Sequence, residues 1–170
     1  FKIDKSNKDA RDTLLNFSEM LRYQLYECGS DLIEIEKEVS YIKNYIEIQM
    51  LRKTERYSCD LTVTDRVKRF QIAPLLLAPF VENAFKHISN HASGKNSIRI
   101  ELDYVNSEFK FSISNDKDNH SVTGLMENKG IGLANVKRRL ALLYPDKHEL
   151  EITNSPDRFS VKMKMKVENE

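Results

Sequence analysis

Apolar residues recur with a helical period over the first fifty positions and with a strand period over much of the remaining chain. Ala10, Leu14, Phe17, Leu21, Leu25 and Cys28 are spaced 4, 3, 4, 4 and 3, which is one stripe of a helix. Gly29 supplies its C-terminal stop. Ile35, Val39, Ile42, Ile46 and Met50 then repeat at 4, 3, 4 and 4, predicting a second helix to about Arg52, roughly 25 Å long. A helical hairpin results, and its apolar stripes must be covered by the rest of the chain or by another copy, so dimerisation through these helices is expected.

From Tyr57 the period changes. Tyr57 to Val63 alternates as a strand, with Cys59, Leu61 and Val63 on one face. A helix is predicted from about Pro74 to Asn90, followed by strands Ser97 to Val105 and Glu108 to Asn115 joined by a short turn at Asn106-Ser107. Residues 116 to 129 are polar and without period, a loop of about fourteen residues and a candidate lid. Gly130-Ile131-Gly132 opens a helix to about Tyr144, which Pro145 ends, and His148 to Asn154 and Arg158 to Val167 form a last hairpin. This order lacks the strict alternation of a doubly wound sheet. It predicts an α+β fold, a two-layer α/β sandwich. Its mixed, mostly antiparallel sheet is covered on one face by the helices Pro74 to Asn90 and Gly132 to Tyr144. The helical hairpin, 1–54, precedes this domain, 55–170.

The composition narrows the function classes. With 27 Lys+Arg against 26 Asp+Glu the 170-residue chain is nearly neutral, so no direct nucleic-acid role is expected. Cys28 and Cys59 form neither a disulfide framework nor a thiolate metal site, which fits a reducing compartment. The longest apolar run, Ile72 to Val81, is broken by Pro74 and Pro79 and falls far short of the ~20 residues of a membrane span. The chain opens at Phe1 with no signal-peptide pattern, and is expected to be a piece of something longer.

Two features bear chemistry. On the helix after Pro74, Leu77, Val81, Ala84 and Ile88 fall within about 60° of one another and should face the sheet. Glu82, Asn83, Lys86 and Asn90 occupy the opposite arc, either a solvated polar face or a carboxylate, carboxamide and ammonium presented together. Lys129-Gly130-Ile131-Gly132-Leu133 places glycines at a helix start, either a simple turn or a cradle whose backbone amides reach a polyphosphate. His87 and His91 lack a third metal ligand, and no serine or cysteine nucleophile motif is present. The run Lys137-Arg138-Arg139 reads as a solvated face or the nucleotide end of its helix.

The segments Pro74-Leu75-Leu76-Leu77-Ala78-Pro79-Phe80-Val81-Glu82-Asn83-Ala84-Phe85-Lys86-His87 and Gly130-Ile131-Gly132-Leu133-Ala134-Asn135-Val136-Lys137-Arg138-Arg139-Leu140 resemble the N-box and G-box of sensor histidine kinases of the LytS type. Leu21-Arg22-Tyr23 and Tyr41-Ile42-Lys43-Asn44-Tyr45-Ile46 resemble that family's segment between phosphoacceptor helix and catalytic domain. The resemblance implies a GHKL ATP-binding fold using ATP and Mg²⁺. Asn83 would ligate Mg²⁺, Glu82 would polarise the attacking group or a metal-bound water, and Lys86 or His87 would help neutralise phosphate charge. Lys129, Gly130, Ile131, Gly132 and Leu133 would line the phosphates, while Asn135 and Arg139 match positions of capping, packing or ligand contact.

Two departures stand out. Asn115 occupies the place of the carboxylate that reads the adenine amino group, with Asp116 as an alternative, and Lys117 and Asn119 replace two glycines. The family's His-Phe-x-Phe-Asn phosphoacceptor motif is absent; His91, His120 and His148 read as surface histidines, and self-phosphorylation is not expected. The resemblance thus implies the cytoplasmic catalytic portion of a bacterial inner-membrane sensor kinase. It would act on an upstream histidine, dimerise through its N-terminal helices and serve a response regulator of LytTR type. The alternatives are a non-catalytic, nucleotide-responsive signalling module, or an ATPase or serine kinase of the same fold.

Overall fold

In the computed structural model, which describes residues 8–27, 29–90, 96–118 and 131–167, both hydrophobic periods become regular elements. Helix α1 (Lys8–Arg22) runs into one π-helical turn (Tyr23–Glu27), and a two-residue strand β1 (Ile33–Glu34) leads into α2 (Ile35–Met50). There follow β2 (Tyr57–Val63), β3 (Gln71–Ile72), α3 (Ala78–His87), β4 (Asn96–Val105), β5 (Glu108–Asp116), α4 (Ile131–Leu143), β6 (His148–Asn154) and β7 (Arg158–Lys166). Among the described residues no helix is long and apolar enough to cross a membrane.

The main sheet has the order β2-β4-β5-β7-β6. Strand β2 runs parallel to β4 and the other neighbours are antiparallel, giving the expected mixed sheet. The β4–β5 hairpin turns at Asn106 and Ser107, whose φ values of 54° and 61° are the left-handed pair that a tight two-residue hairpin requires. Alternation buries Ile98, Ile100 and Leu102 of β4, Phe109, Phe111 and Ile113 of β5, and Val161, Met163 and Met165 of β7. Phe80, Val81, Ala84 and Phe85 of α3 and Val136 and Leu140 of α4 complete this core. So do Ile35, Val39, Ile42 and Ile46 of α2, so three helices rather than two contribute to it.

The two stripes of the hairpin therefore have different fates. That of α2 is consumed in the core, whereas Leu14, Phe17, Leu21 and Leu25 of α1 and its π-helical turn stay 52%, 50%, 42% and 74% exposed. Cys28, the last member of that stripe, lies outside the described residues. Helix α1 meets α2 through another face: Asn16 donates to Glu47, and Met20 and Tyr23 pack with Tyr41.

Two expectations are corrected and one strand pair is added. The helix expected over Pro74–Asn90 is ten residues, Ala78–His87, because the chain turns through Leu75 at φ 52° before Pro79 starts the helix. After His87, the Ser89 amide bonds the Asp116 carbonyl instead of continuing the helical ladder. The pair β1–β3, with Ile33 opposite Ile72, is too short to show a period and ties the start of α2 to the segment before α3. His148 is half-buried rather than exposed, its Nδ1 2.7 Å from the Tyr144 carbonyl.

Candidate functional site

Helix α3 divides as its sequence pattern requires. Leu77, Val81 and Ala84 are buried, Ile88 is half-buried just beyond the helix end, and Glu82, Lys86 and His87 are exposed with Asn83 half-buried between them. The side chains of Glu82, Asn83 and Lys86 make no hydrogen bond or ion pair with any described residue. Asn90 is not part of this face: it lies beyond the helix, its Oδ1 accepting the Tyr57 hydroxyl at 2.7 Å. Partial desolvation raises the Glu82 carboxyl above its ordinary value. Desolvation, reinforced by Lys86 and Lys117, lowers the His87 pKa below its ordinary value.

Beneath the C-terminal end of α3 lies Asn115, on the core face of β5 in line with Phe109, Phe111 and Ile113. It is fully buried. Its Nδ2 donates to the carbonyls of Asp116, at 3.0 Å, and of His87, at 3.4 Å, while its buried Oδ1 has no partner. An orphaned buried acceptor costs about 1–3 kcal/mol unless something brings it a donor. Asp116 alternates to the other side of the strand, and its carboxylate is taken by the Ser97 amide at 2.9 Å and hydroxyl at 2.6 Å. Asn115 and not Asp116 is thus the side chain beneath α3.

Gly132 and Leu133 occupy the first turn of α4, which packs beside α3. A Cβ at Gly132 would meet only open space, so no packing contact demands glycine there. Ile131 begins the helix; Lys129 and Gly130 lie outside the described residues, with His91, His120 and residues 119 to 129 of the candidate lid. Asn135 is exposed, and Arg139 turns inward to donate to the Pro74 carbonyl. A groove of about 740 Å³, lined by Leu32, Arg139, Leu142 and Tyr144 among others, includes none of Glu82, Asn83, Lys86 and Asn115.

Glu38 and Tyr23 organise the start of α3. The Glu38 carboxylate, fully buried on α2, accepts the amides of Leu75 at 2.9 Å, Leu77 at 2.8 Å and Ala78 at 3.4 Å, together with the Tyr23 hydroxyl. Tyr23 Oη also accepts the Leu75 amide at 3.2 Å. From the other side the Ala73 amide donates to the Tyr144 hydroxyl at 2.8 Å. Burial pushes the Glu38 pKa up, and its hydroxyl and amide donors pull it partly back. Glu38 is detectable in principle, because its spacing from Ile35 and Ile42 puts a charge on an apolar helical stripe.

The donor set fits a magnesium nucleotide. Asn115 Oδ1 offers a buried acceptor to an amino group, the Asn83 carboxamide is a hard oxygen ligand free of protein partners among the described residues, and Lys86 supplies positive charge. A profile described as histidine kinase matches residues 2–57. An uncharacterized sensor-like histidine kinase of Staphylococcus epidermidis is 35% identical over 100 residues, 59% of this chain and 19% of that protein. The sensor protein LytS of Staphylococcus haemolyticus is 26% identical over 159 residues, 88% of this chain and 27% of LytS. The chain thus spans about a fifth to a quarter of the length of these relatives. Among solved structures, the histidine kinase domain of a blue-light activated kinase from Erythrobacter litoralis superposes with a TM-score of 0.60 at 12% identity, covering 92% of this chain and 80% of that one. Acinetobacter baumannii histidine kinase AdeS gives 0.56 at 14%, covering 99% and 88%. At such identities the structures speak for the fold alone. The chain is thus similar in sequence to sensor histidine kinases, LytS among them, and has the fold of histidine kinase catalytic domains.

Proposed function

We propose that this chain binds Mg·ATP and is the catalytic region of a two-component sensor kinase, moving the γ-phosphoryl to a histidine that precedes Phe1 in the parent protein. The observation that carries the reading is the buried Oδ1 of Asn115, unpartnered among the described residues, beneath a helix face whose Glu82, Asn83 and Lys86 side chains make no hydrogen bond or ion pair with a described residue. Asn115 Oδ1 accepts the adenine amino group, and Asn83 holds the metal through its carboxamide oxygen. Bound Mg²⁺ supplies charge neutralisation across the phosphate oxygens. Lys86 adds a positive charge, and His87, its pKa lowered in the free site, gains basicity as anionic phosphates approach. Glu82, its pKa raised by desolvation, accepts a hydrogen bond from the attacking imidazole and orients it. The amides at Gly130 and Gly132, with Ile131 and Leu133 beside them and Lys129 above, line the phosphates.

The exposed stripe Leu14, Phe17, Leu21 and Leu25 is the dimer surface of the N-terminal helices. In the intact protein the phosphoryl passes on to the aspartate of a response regulator of LytTR type, and upstream segments anchor the kinase to the bacterial inner membrane with this region on its cytoplasmic side. Calorimetric titration of a non-hydrolysable ATP analogue, with and without Mg²⁺, tests the site. Binding strengthened by Mg²⁺, weakened in Asn115→Ala and stripped of its Mg²⁺ gain in Asn83→Ala is expected. A folded chain that binds no nucleotide would sink the reading. Binding without acid-labile phosphohistidine in the parent protein would favour the non-catalytic signalling module.

A further inference from the structure

Glu38 touches neither the nucleotide nor the metal in the proposed reaction, yet it holds the start of the helix that bears Asn83. Helix α3 has no side-chain cap of its own: Leu77 stands at the cap position and cannot accept from the first amides. Three backbone donors, Leu75, Leu77 and Ala78, converge instead on one carboxylate from α2, nearly forty residues earlier in the chain. The left-handed Leu75, at φ 52°, bends the chain so that they converge. Two turns further along α2, Tyr45 packs edge-on against Phe85 at 5.7 Å, and its hydroxyl, pushed up to about 12 by burial and by Glu82, lies within the field of the site face. Helix α2 therefore grips α3 at its start and again beside Glu82. Asn83 stands five residues after Ala78 on the same rigid helix, so where the first turn sits decides where the Asn83 carboxamide points.

We propose that Glu38, steadied by the Tyr23 hydroxyl, is the positioning residue through which the helical hairpin sets the metal-bearing face of α3. Tyr23 belongs to the π-helical turn at the end of α1, the helix whose apolar stripe is exposed, so a shift of α1 reaches Asn83 through Tyr23, Glu38 and the first amides of α3. The inference rests on the nucleotide reading, and its test separates the two.

The affinity of the 170-residue chain for a non-hydrolysable ATP analogue is measured with and without Mg²⁺, in the wild type and in Glu38→Gln, Tyr23→Phe and Val39→Ala. Glu38→Gln keeps the side-chain shape but turns one acceptor into a donor facing other donors. Its Mg²⁺-dependent gain in affinity is expected to fall about tenfold, and that of Tyr23→Phe about threefold, while the affinity without Mg²⁺, set by Asn115, stays within about twofold. A merely structural loss would lower both affinities together and leave their ratio alone. Val39→Ala, a core truncation that bonds none of the α3 amides, lowers the melting temperature and keeps the ratio. An unchanged ratio in both Glu38→Gln and Tyr23→Phe overturns the proposal, as does an equal fall of the ratio in Val39→Ala. If Glu38→Gln does not fold, Tyr23→Phe decides the matter. Absence of binding in the wild type refutes the nucleotide reading instead.

Discussion

The two ends of one short helix are treated in opposite ways. In the turn from Ala73 to Ala78, the Ala73, Leu75, Leu77 and Ala78 amides and the Pro74 carbonyl are each bonded to a side chain from another element: Tyr23, Glu38, Arg139 or Tyr144. One and a half turns on, Glu82, Asn83 and Lys86 present a carboxylate, a carboxamide and an ammonium with no described partner. Water satisfies the exposed Glu82 and Lys86, whereas the buried Oδ1 of Asn115 beneath them has no donor among the described residues. The fixed end gives the open end its precision.

The contrast is broken most severely at Glu38. Glu38→Ala strips the acceptor from three buried amides and one hydroxyl, and a loss of about 3–5 kcal/mol in folding stability is expected. A lower urea midpoint with an unchanged slope would show it. Asn83→Ala acts at the open end and should leave stability within about 0.5 kcal/mol, while nucleotide binding loses its Mg²⁺ gain. A large drop in stability there would mean that the face is structural after all. Tyr23→Phe, which removes one donor to Glu38 and one acceptor of the Leu75 amide, should cost about 1 kcal/mol by the same unfolding measurement.

The smallest effect is one of pH. Burial raises the Glu38 pKa from its ordinary 4.5. Below that value both folded and unfolded chains hold the proton; as pH climbs from there through the higher native value, the unfolded chain releases it first and stability falls. Stability measured across this window in the wild type and in Glu38→Gln should show the decline flattened in the variant. An identical slope in both would mean that Glu38 titrates alike in the folded and unfolded chain.

Much of the fold and of the site face is readable in the residues alone, for reasons that can be stated. The strands of the main sheet announce themselves by alternation, and Asn106-Ser107 by its turn chemistry. The outward arc of α3 follows from 100° per residue, whereas Asn115 is singled out only by the family resemblance, and its register with Phe109, Phe111 and Ile113 is what puts it on the core face. The pattern places the start of α3 four residues early because Pro74 resembles a helix-opening proline, while a left-handed leucine leaves no trace in a pattern of polarity. The strands β1 and β3 have two residues each, less than one full period. Helix α2 is legible as a helix but not as part of the main core, since periodicity tells which face is apolar and not what covers it. Tyr23 offers no signal by itself: it lies next to the stripe, not on it, and only the distant carboxylate explains its burial.

The place of β5 has a consequence for how the molecule opens with time. It is the central strand of five, flanked by β4 and β7, while β2 and β6 form the edges. Amides of such a strand exchange their hydrogens with solvent chiefly through near-global opening, whereas edge strands and helix ends fray far more often. Asn115 therefore runs on the slowest clock in the chain, and the bond from Ser89 to the Asp116 carbonyl extends that clock to the loop after α3. Three amides at the start of α3 depend instead on one carboxylate outside the sheet, so their exchange reports the Glu38 contact and not the opening of β5.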